Sequence, residues 1–506
     1  GGASGDVVTL GSVITTGTLD LGAGSDTLNL SGAGNTVTLS NIETVAGSTG
    51  DDLITLGAAI TGGRIDLGGG TGDSLTLGDF TNTLTVLNVE TLTGGGSNDV
   101  VTLGTAITSG TLTLGAGTDT LTLGAFNNTV TVSQIETING GSSADVVTLG
   151  AALNGTINLG AGADTLNLGD FTSTVTVSNI ETIVGGASDD TIVLGAAMTT
   201  GSINLGAGTG DSVTLGNFAN TLTITNVENI TGGASSDVIT LGSAITSGSI
   251  SLGNGTDTLK LGNFANTVTV SNIENVTGGA NSDVVTLGTA LTTGTVNLGF
   301  GTDTLTLSSS SNTFTVSNVE TLVAGAGNDT ITFGSDLNGA LDLAGGTDRA
   351  ILSNGSNNVT VSNIETVTGG SGADTITIAT AAAVSINAGA GDDVIYSGQG
   401  ADSITLGTGN DTIVYNNINQ STSSAKDGVV DFNSSGDLLY FEGLQTGTFS
   451  FIGASAFTNS GNSQARFDNS TKILQVDTDG NGSADMEITL TNVLIGNLSD
   501  DDFLWS

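Results

Sequence analysis

Aspartates that close glycine-rich corners are the residues of this chain best placed to do chemistry. The unit is clearest at residues 22–30, G-A-G-S-D-T-L-N-L, where a corner runs into an aspartate and then an apolar/polar alternation. It recurs at Asp6, Asp26, Asp52, Asp73, Asp99, Asp119, Asp145, Asp164, Asp190, Asp211, Asp237, Asp257, Asp283, Asp303, Asp329, Asp348, Asp374, Asp393, Asp402 and Asp411. From Asp26 to Asp374 every second gap is 26 residues, and the intervening gaps run from 19 to 21. The repeat is therefore 45 to 47 residues long, with a long and a short half. A carboxylate beside glycines, whose carbonyls no side chain shields, is a set of hard oxygen donors suited to a divalent cation.

Charge sharpens that reading. Only Arg64, Lys260, Arg349, Lys426, Arg466 and Lys472 oppose 49 acidic groups, a net charge of -43. Nucleic acid and anionic membrane surfaces are poor partners for such a chain. Calcium takes six to eight oxygen ligands. Coils stacked about 4.8 Å apart bring corner aspartates close enough to repel, and an ion between successive corners converts the repulsion into a bridge. The alternative is that each aspartate only caps its own turn.

Catalysis is poorly provided for, because the chain has no histidine and no cysteine. The lack of cysteine also excludes disulfides, so stability outside the cell rests on packing or metal. No run of eighteen apolar residues is present to span a membrane. The first residues show neither a basic segment nor a hydrophobic one of the kind that marks an N-terminal secretory signal.

The elements that must position the aspartates are short strands. Residues 7–10, 18–21, 27–30 and 35–45 alternate apolar and polar residues rich in Val, Leu and Thr, and glycine corners separate them. Four such strands in each ~46-residue repeat, with no helical period, predict an all-β parallel β-solenoid with two coils per repeat. A glycine-rich linker is the alternative from composition, against which the regular Val, Ile and Leu content argues. Phe80, Phe126, Phe171, Phe218 and Phe264 recur at one corner and are expected to stack and close one end of the core. Glu43, Glu90, Glu136, Glu181, Glu228, Glu274, Glu320 and Glu365 recur once per repeat. They are expected ~10 Å apart on a solvated outer face, a second cation ladder being the alternative.

Near residue 385 the period collapses to nine. The segments A-G-A-G-D-D, G-Q-G-A-D and G-T-G-N-D end on Asp393, Asp402 and Asp411, with Ile395, Ile404 and Ile413 two residues further on. This is the G-G-x-G-x-D-x-U-x nonapeptide. Over residues 388–415 the chain resembles the repeats-in-toxin, or haemolysin-type, calcium-binding family, and over 1–387 the likeness is partial. The resemblance implies an ion between adjacent corners, held by aspartate and glycine carbonyls, with all twenty corner aspartates as candidates. Residues 1–415 form the repeat region on this reading.

Past Tyr415 the repeats stop and aromatics appear. The order D-F…G-D-L-L at 431–439, a loop at 477–485, I-T-L-T at 488–491 and the terminal D-D-F-L resembles the C-terminal domain of serralysin-type proteins. For residues 416–506 that resemblance implies a small β domain carrying an uncleaved type I secretion signal, hence a bacterial protein found outside the cell or on its surface. Within it Asp477, Asp479, Asn481 and Asp485 form a compact oxygen-ligand loop, similar to the first half of an EF-hand loop, with Ile488 where the bidentate glutamate would stand. A plain β-turn is the other reading.

Together these features predict a secreted calcium-dependent structural protein, not an enzyme: a fibre, surface-layer or biofilm-matrix subunit. Residues 1–6, G-G-A-S-G-D, already form a corner, and an open strand edge there invites a head-to-tail homopolymer. The alternative is an adhesin or binding module for ice or carbohydrate such as cell-surface polysaccharide, using outward threonines Thr9, Thr55, Thr102 and Thr148.

Overall fold

The computed structural model describes residues 1–506, in two compact units, Gly1–Gly262 and Asn263–Ser506. In the first unit the chain winds through two parallel sheets, visiting them in turn. Strand β1 (Val7–Thr9) pairs with β3 (Thr27–Asn29), and β3 pairs with β5 (Thr44–Ser48). On the other sheet β2 (Thr18–Asp20) pairs with β4 (Thr36–Ser40). One residue in two points inward, so Leu28, Leu75, Leu121 and Ile138 are fully buried while their threonine neighbours face out. Each fully buried leucine or isoleucine contributes about 1.5–3 kcal/mol to holding the coils together.

The parallel solenoid is as expected, but its repeat is not two coils. Each repeat holds five strands, β1 to β5 in the first and the next set beginning at Leu53–Leu56. The stretch 35–45 is two strands, broken at Asn41, which takes a left-handed φ of 55°. Asn88, Gln134, Asn179, Asn226, Asn272, Asn318 and Asn363 do the same in later repeats, at φ between 52° and 54°. Asparagine tolerates this conformation better than other side-chain-bearing residues, so a corner forms there without glycine. Asn41 Nδ2 secures it by donating to Asp20 Oδ1 at 2.8 Å, and Asn88 does so to Asp66 Oδ1 at 2.7 Å.

Five strands on two sheets make two and a half coils, so each repeat starts on the sheet opposite to its predecessor. Thus Val7–Thr9 and Val100–Leu103 share one sheet, while Leu53–Leu56 and Val146–Leu149 belong to the other. The recurring phenylalanines accordingly do not stack. Phe126 and Phe171 are each 37% exposed, and their rings lie over the left-handed glycines Gly124 and Gly169 of their own corners. Thr9 and Thr102 likewise face out from one sheet, and Thr55 and Thr148 from the other.

In the second unit the parallel pairing runs through residue 415. Thr412–Tyr415 pairs with Leu438–Phe441, which pairs in turn with Phe503–Trp505. Ser403–Thr408 pairs with Asp427–Val429, and that strand with Met486–Leu490. The distinct C-terminal feature is an antiparallel meander of Gln464–Asp468, Ile473–Asp477 and Met486–Leu490. Aromatic stacking occurs here instead: Tyr415 on Phe441 at 5.8 Å, Phe441 on Trp505 at 4.5 Å, and Trp505 on Phe449 at 4.4 Å.

The corners are as tight as the sheets. Gly115 has φ +97°, and a Cβ there would sit 2.0 Å from the carbonyl oxygen of Gly95 on the preceding coil. Gly115→Ala is therefore expected to lower stability by more than the ~1 kcal/mol of a left-handed alanine alone. Chemical denaturation in saturating calcium measures it, and an unchanged midpoint would contradict the stacking of these corners.

Candidate metal centre

The corner residues form runs in which each backbone N–H donates to the side chain one rung further along. In one run the N–H of Ile60 donates to Asn82 Oδ1 at 3.0 Å, and that of Asn82 to Asp99 Oδ1 at 3.0 Å. The N–H of Asp99 then donates to Asp119 Oδ1 at 2.7 Å, and that of Asp119 to Glu136 Oε2 at 2.8 Å. The same order, a neutral residue followed by two aspartates and a glutamate, recurs in Asn35–Asp52–Asp73–Glu90 and Asn128–Asp145–Asp164–Glu181. Ser173–Asp190–Asp211–Glu228 and Asn312–Asp329–Asp348–Glu365 repeat it.

The 19-to-21-residue gaps therefore join aspartates on neighbouring rungs, whereas each 26-residue gap crosses to the other sheet. The aspartates form short runs on both edges of the solenoid, not one continuous row. In the nonapeptide region a longer run, Asn357–Asp374–Asp393–Asp411–Asp437, occupies one edge, and Asp402 pairs with Asp427 on the other. Asp427 and Asp437, neither of them among the candidate ligands read from the sequence, extend the runs past residue 415. Their signal was distance: 25 and 26 residues separate them from their partners, without a glycine corner of the usual form.

The glutamates are also part of the runs. Glu43, Glu90, Glu136, Glu181, Glu228 and Glu365 are half-buried, and Glu320 is exposed. Each accepts the N–H of the aspartate on the rung before it, as Asp26 to Glu43 and Asp303 to Glu320 show at 2.8 and 2.7 Å. The expectation of a freely solvated face ~10 Å from repeat to repeat does not hold. Successive repeats alternate edges, so glutamates on one edge lie five rungs apart, about 24 Å.

What the carboxylates lack is a partner for their second oxygen. Oδ2 of Asp26, Asp73, Asp99, Asp119, Asp145, Asp164, Asp190, Asp211, Asp237, Asp283, Asp303, Asp329, Asp348, Asp393 and Asp411 is buried and accepts no hydrogen bond. A Cβ on Gly70 would sit 2.8 Å from Asp73 Oδ2 and 2.8 Å from Asp51 Oδ1, and one on Gly208 would sit 2.6 Å from Asp211 Oδ2. At these two corners the orphan oxygen thus faces a glycine hollow that any other residue would fill. The two ion pairs, Arg64–Asp66 and Lys426–Glu487, lie off these runs. Neighbouring carboxylates one rung apart repel by about 3 kcal/mol at an effective dielectric near 20. Hard anionic oxygens, unshielded carbonyls and no protein cation are the donor set calcium takes.

In the C-terminal meander, ligand oxygens of Asp477, Asp479 and Asp485 lie within 4.8 Å of one another. Asp477 accepts the N–H groups of Gly480 and Gly482, both at 2.8 Å, and Asp485 Oδ2 accepts the backbone N–H and the hydroxyl of Thr478. The Asn481 side chain is turned to its own loop, its Oδ1 accepting the Ser483 N–H and its Nδ2 donating to Asp479. The structure brings the three aspartates together, with Asn481 hydrogen-bonded to Asp479 at 2.9 Å beside them.

The family model of the RTX calcium-binding nonapeptide repeat matches residues 111–130, 177–197, 316–336, 361–377 and 385–413, in four copies. These matches cover well under half of the chain, and they extend the likeness upstream of the nine-residue repeats into the 46-residue ones. Among solved structures the chain is similar to the AlgE6R3 subunit of the Azotobacter vinelandii mannuronan C5-epimerase, at 20% identity and a TM-score of 0.19, covering 34% of this chain and 80% of that one. A comparison with curated proteins finds no match.

Burial, followed by neighbouring carboxylates, pushes Asp73, Asp119, Asp164 and Asp211 up to about 6. Burial and the flanking Asp411, Asp374 and Asp392 push Asp393 up to about 7. Without metal, the folded chain keeps these protons up to pH 6–7, whereas the unfolded chain releases them near the ordinary aspartate value of about 4. Folding then takes up protons, and metal-free stability falls as pH rises from about 4 through 6–7. In chelator the residual β signal should be largest near pH 5 and be lost toward pH 7.5, and calcium should restore it. A chelated protein that grows more stable toward pH 7.5 would contradict the burial of these carboxylates.

Proposed function

We propose that this chain, which carries matches to the RTX calcium-binding nonapeptide repeat, is a calcium-dependent structural protein of the cell exterior whose solenoid folds as calcium fills its corners. The observation that carries this reading is the buried, unpartnered aspartate oxygen repeated from corner to corner. Calcium supplies the positive charge that the corners lack, and binding free energy becomes folding free energy. At low cytosolic calcium the acidic chain stays unfolded, which suits export by a type I route. Outside the cell, at millimolar calcium, it folds.

A second copy of the chain is a fitting partner, because in a parallel stack every rung offers the edge that the next rung covers. Head-to-tail association into a fibre, surface layer or matrix belongs to this proposal. No catalytic role is assigned to the chain, and activity on alginate or pectin would reopen that point. Circular dichroism in EDTA and after calcium addition tests the central claim. The β signal should appear with calcium, together with a rise in light scattering if copies assemble. An unchanged β spectrum in EDTA would overturn it.

One feature favours a second reading, that of an adhesin or a ligand-binding module. Thr91, Thr108, Thr111, Thr129, Thr131 and Thr148 line a hollow of about 320 Å³ beside Glu90 in the first unit. Hydroxyls at strand spacing suit a polyhydroxylated ligand or ice. Thermal hysteresis or binding on a glycan array, observed only with calcium present, would support this reading over the fibre.

A further inference from the structure

We infer that the glutamate of each 46-residue repeat is a third calcium-binding carboxylate, closing every aspartate pair with an additional ion between the second aspartate corner and the glutamate corner. The inference rests on the calcium reading above and adds to it a residue that the G-G-x-G-x-D-x-U-x pattern does not specify.

Its first support is positional. Glu90, Glu136, Glu181, Glu228 and Glu365 do to the preceding rung what each aspartate does, taking the N–H of Asp73, Asp119, Asp164, Asp211 and Asp348 at 2.6–3.0 Å. The strands confirm that these are adjacent rungs, Thr91 lying opposite Ser74 and Thr137 opposite Thr120. The glutamate corner is tight, built from a left-handed Asn88 and a buried Val89 where the aspartate corners have glycines. The extra methylene carries the glutamate's carboxylate to the N–H that an aspartate reaches elsewhere.

The second support is independent of the glutamates. Each aspartate beneath one, Asp73, Asp119, Asp164, Asp211, Asp303 and Asp348, is at most 1% exposed and has an Oδ2 with no hydrogen-bond partner. For Asp73 and Asp211 that oxygen faces the glycine hollow of its own corner, on which the glutamate corner stacks. One glutamate oxygen is held by the aspartate N–H, leaving the other to meet an ion that the orphan oxygen also reaches. A calcium ion in this slot would have a carboxylate from each rung and the glycine carbonyls of the lower one, a donor set that hard cations accept.

Glutamine isolates the claim, because its Oε1 can still accept the aspartate N–H while its charge is gone. In the full chain, Glu→Gln at all eight positions is expected to remove one bound calcium per substitution, counted by elemental analysis after equilibrium dialysis. It should also raise the calcium midpoint of folding severalfold, while leaving the same β spectrum at saturating calcium. A variant confined to E90Q, E136Q, E181Q and E228Q serves if eight changes prevent folding, with a loss of four ions expected. Wild-type ion counts and midpoints in either folded variant would overturn the inference and leave the aspartate sites standing. If the unsubstituted chain bound no calcium, the reading beneath would fall, and this inference with it.

Discussion

The constraint on which the structure depends is the hydrogen bond from a buried backbone N–H to a carboxylate on the next rung. A parallel stack needs acceptors for the amides that open each strand, because an unpaired buried N–H costs about as much as a lost hydrogen bond. Here an acidic side chain supplies that acceptor at most corners, as Asp119 does for Asp99 and Glu136 for Asp119. Backbone satisfaction is thereby tied to accumulated negative charge. The fold makes its corners by a means that repels itself, and the counter-charge comes from solution. Asn82 and Asn128 relieve the start of a run, donating Nδ2 to Asp99 and Asp145 at 2.9 Å, so the tension is concentrated on the second aspartate of each pair.

Much of this is legible in the sequence, for physical reasons that also mark where it stops. Glycine followed by aspartate announces a corner because few other residues tolerate the backbone involved, so residues 22–26 and 115–119 stand out. Strand alternation is equally plain, since Leu28 or Leu121 must face inward between two outward residues. The fifth strand is hidden because its corner uses Asn41 in place of glycine, so no glycine marks a turn between residues 35 and 45. Missing one strand in five changes the side on which everything lies, and hence the expected stack of Phe80, Phe126 and Phe171.

The candidate site was legible in its aspartates and not in its neighbours. Asn82 and Glu136 lie 17 residues from the aspartates they touch, a separation with no local signature. Their regular recurrence could be seen, but only the rung length assigns it a meaning. Asp427 and Asp437 were missed for a similar reason: the coils that carry them are several residues longer than those of the repeats. In the C-terminal loop local spacing was enough: Asp477, Asp479 and Asp485 lie within one short turn and come together, with Asn481 bonded to Asp479.

The odd number of strands per repeat sets a parity rule for how such a chain can grow or shrink. Adding or losing a single 46-residue segment rotates all later coils by half a turn, exchanging left and right flanks for every acidic cluster that follows. Segments gained or lost two at a time leave the flanks as they were. A lineage that varies its length by recombination between these similar segments would conserve its surface pattern only in even steps, whatever it presents there.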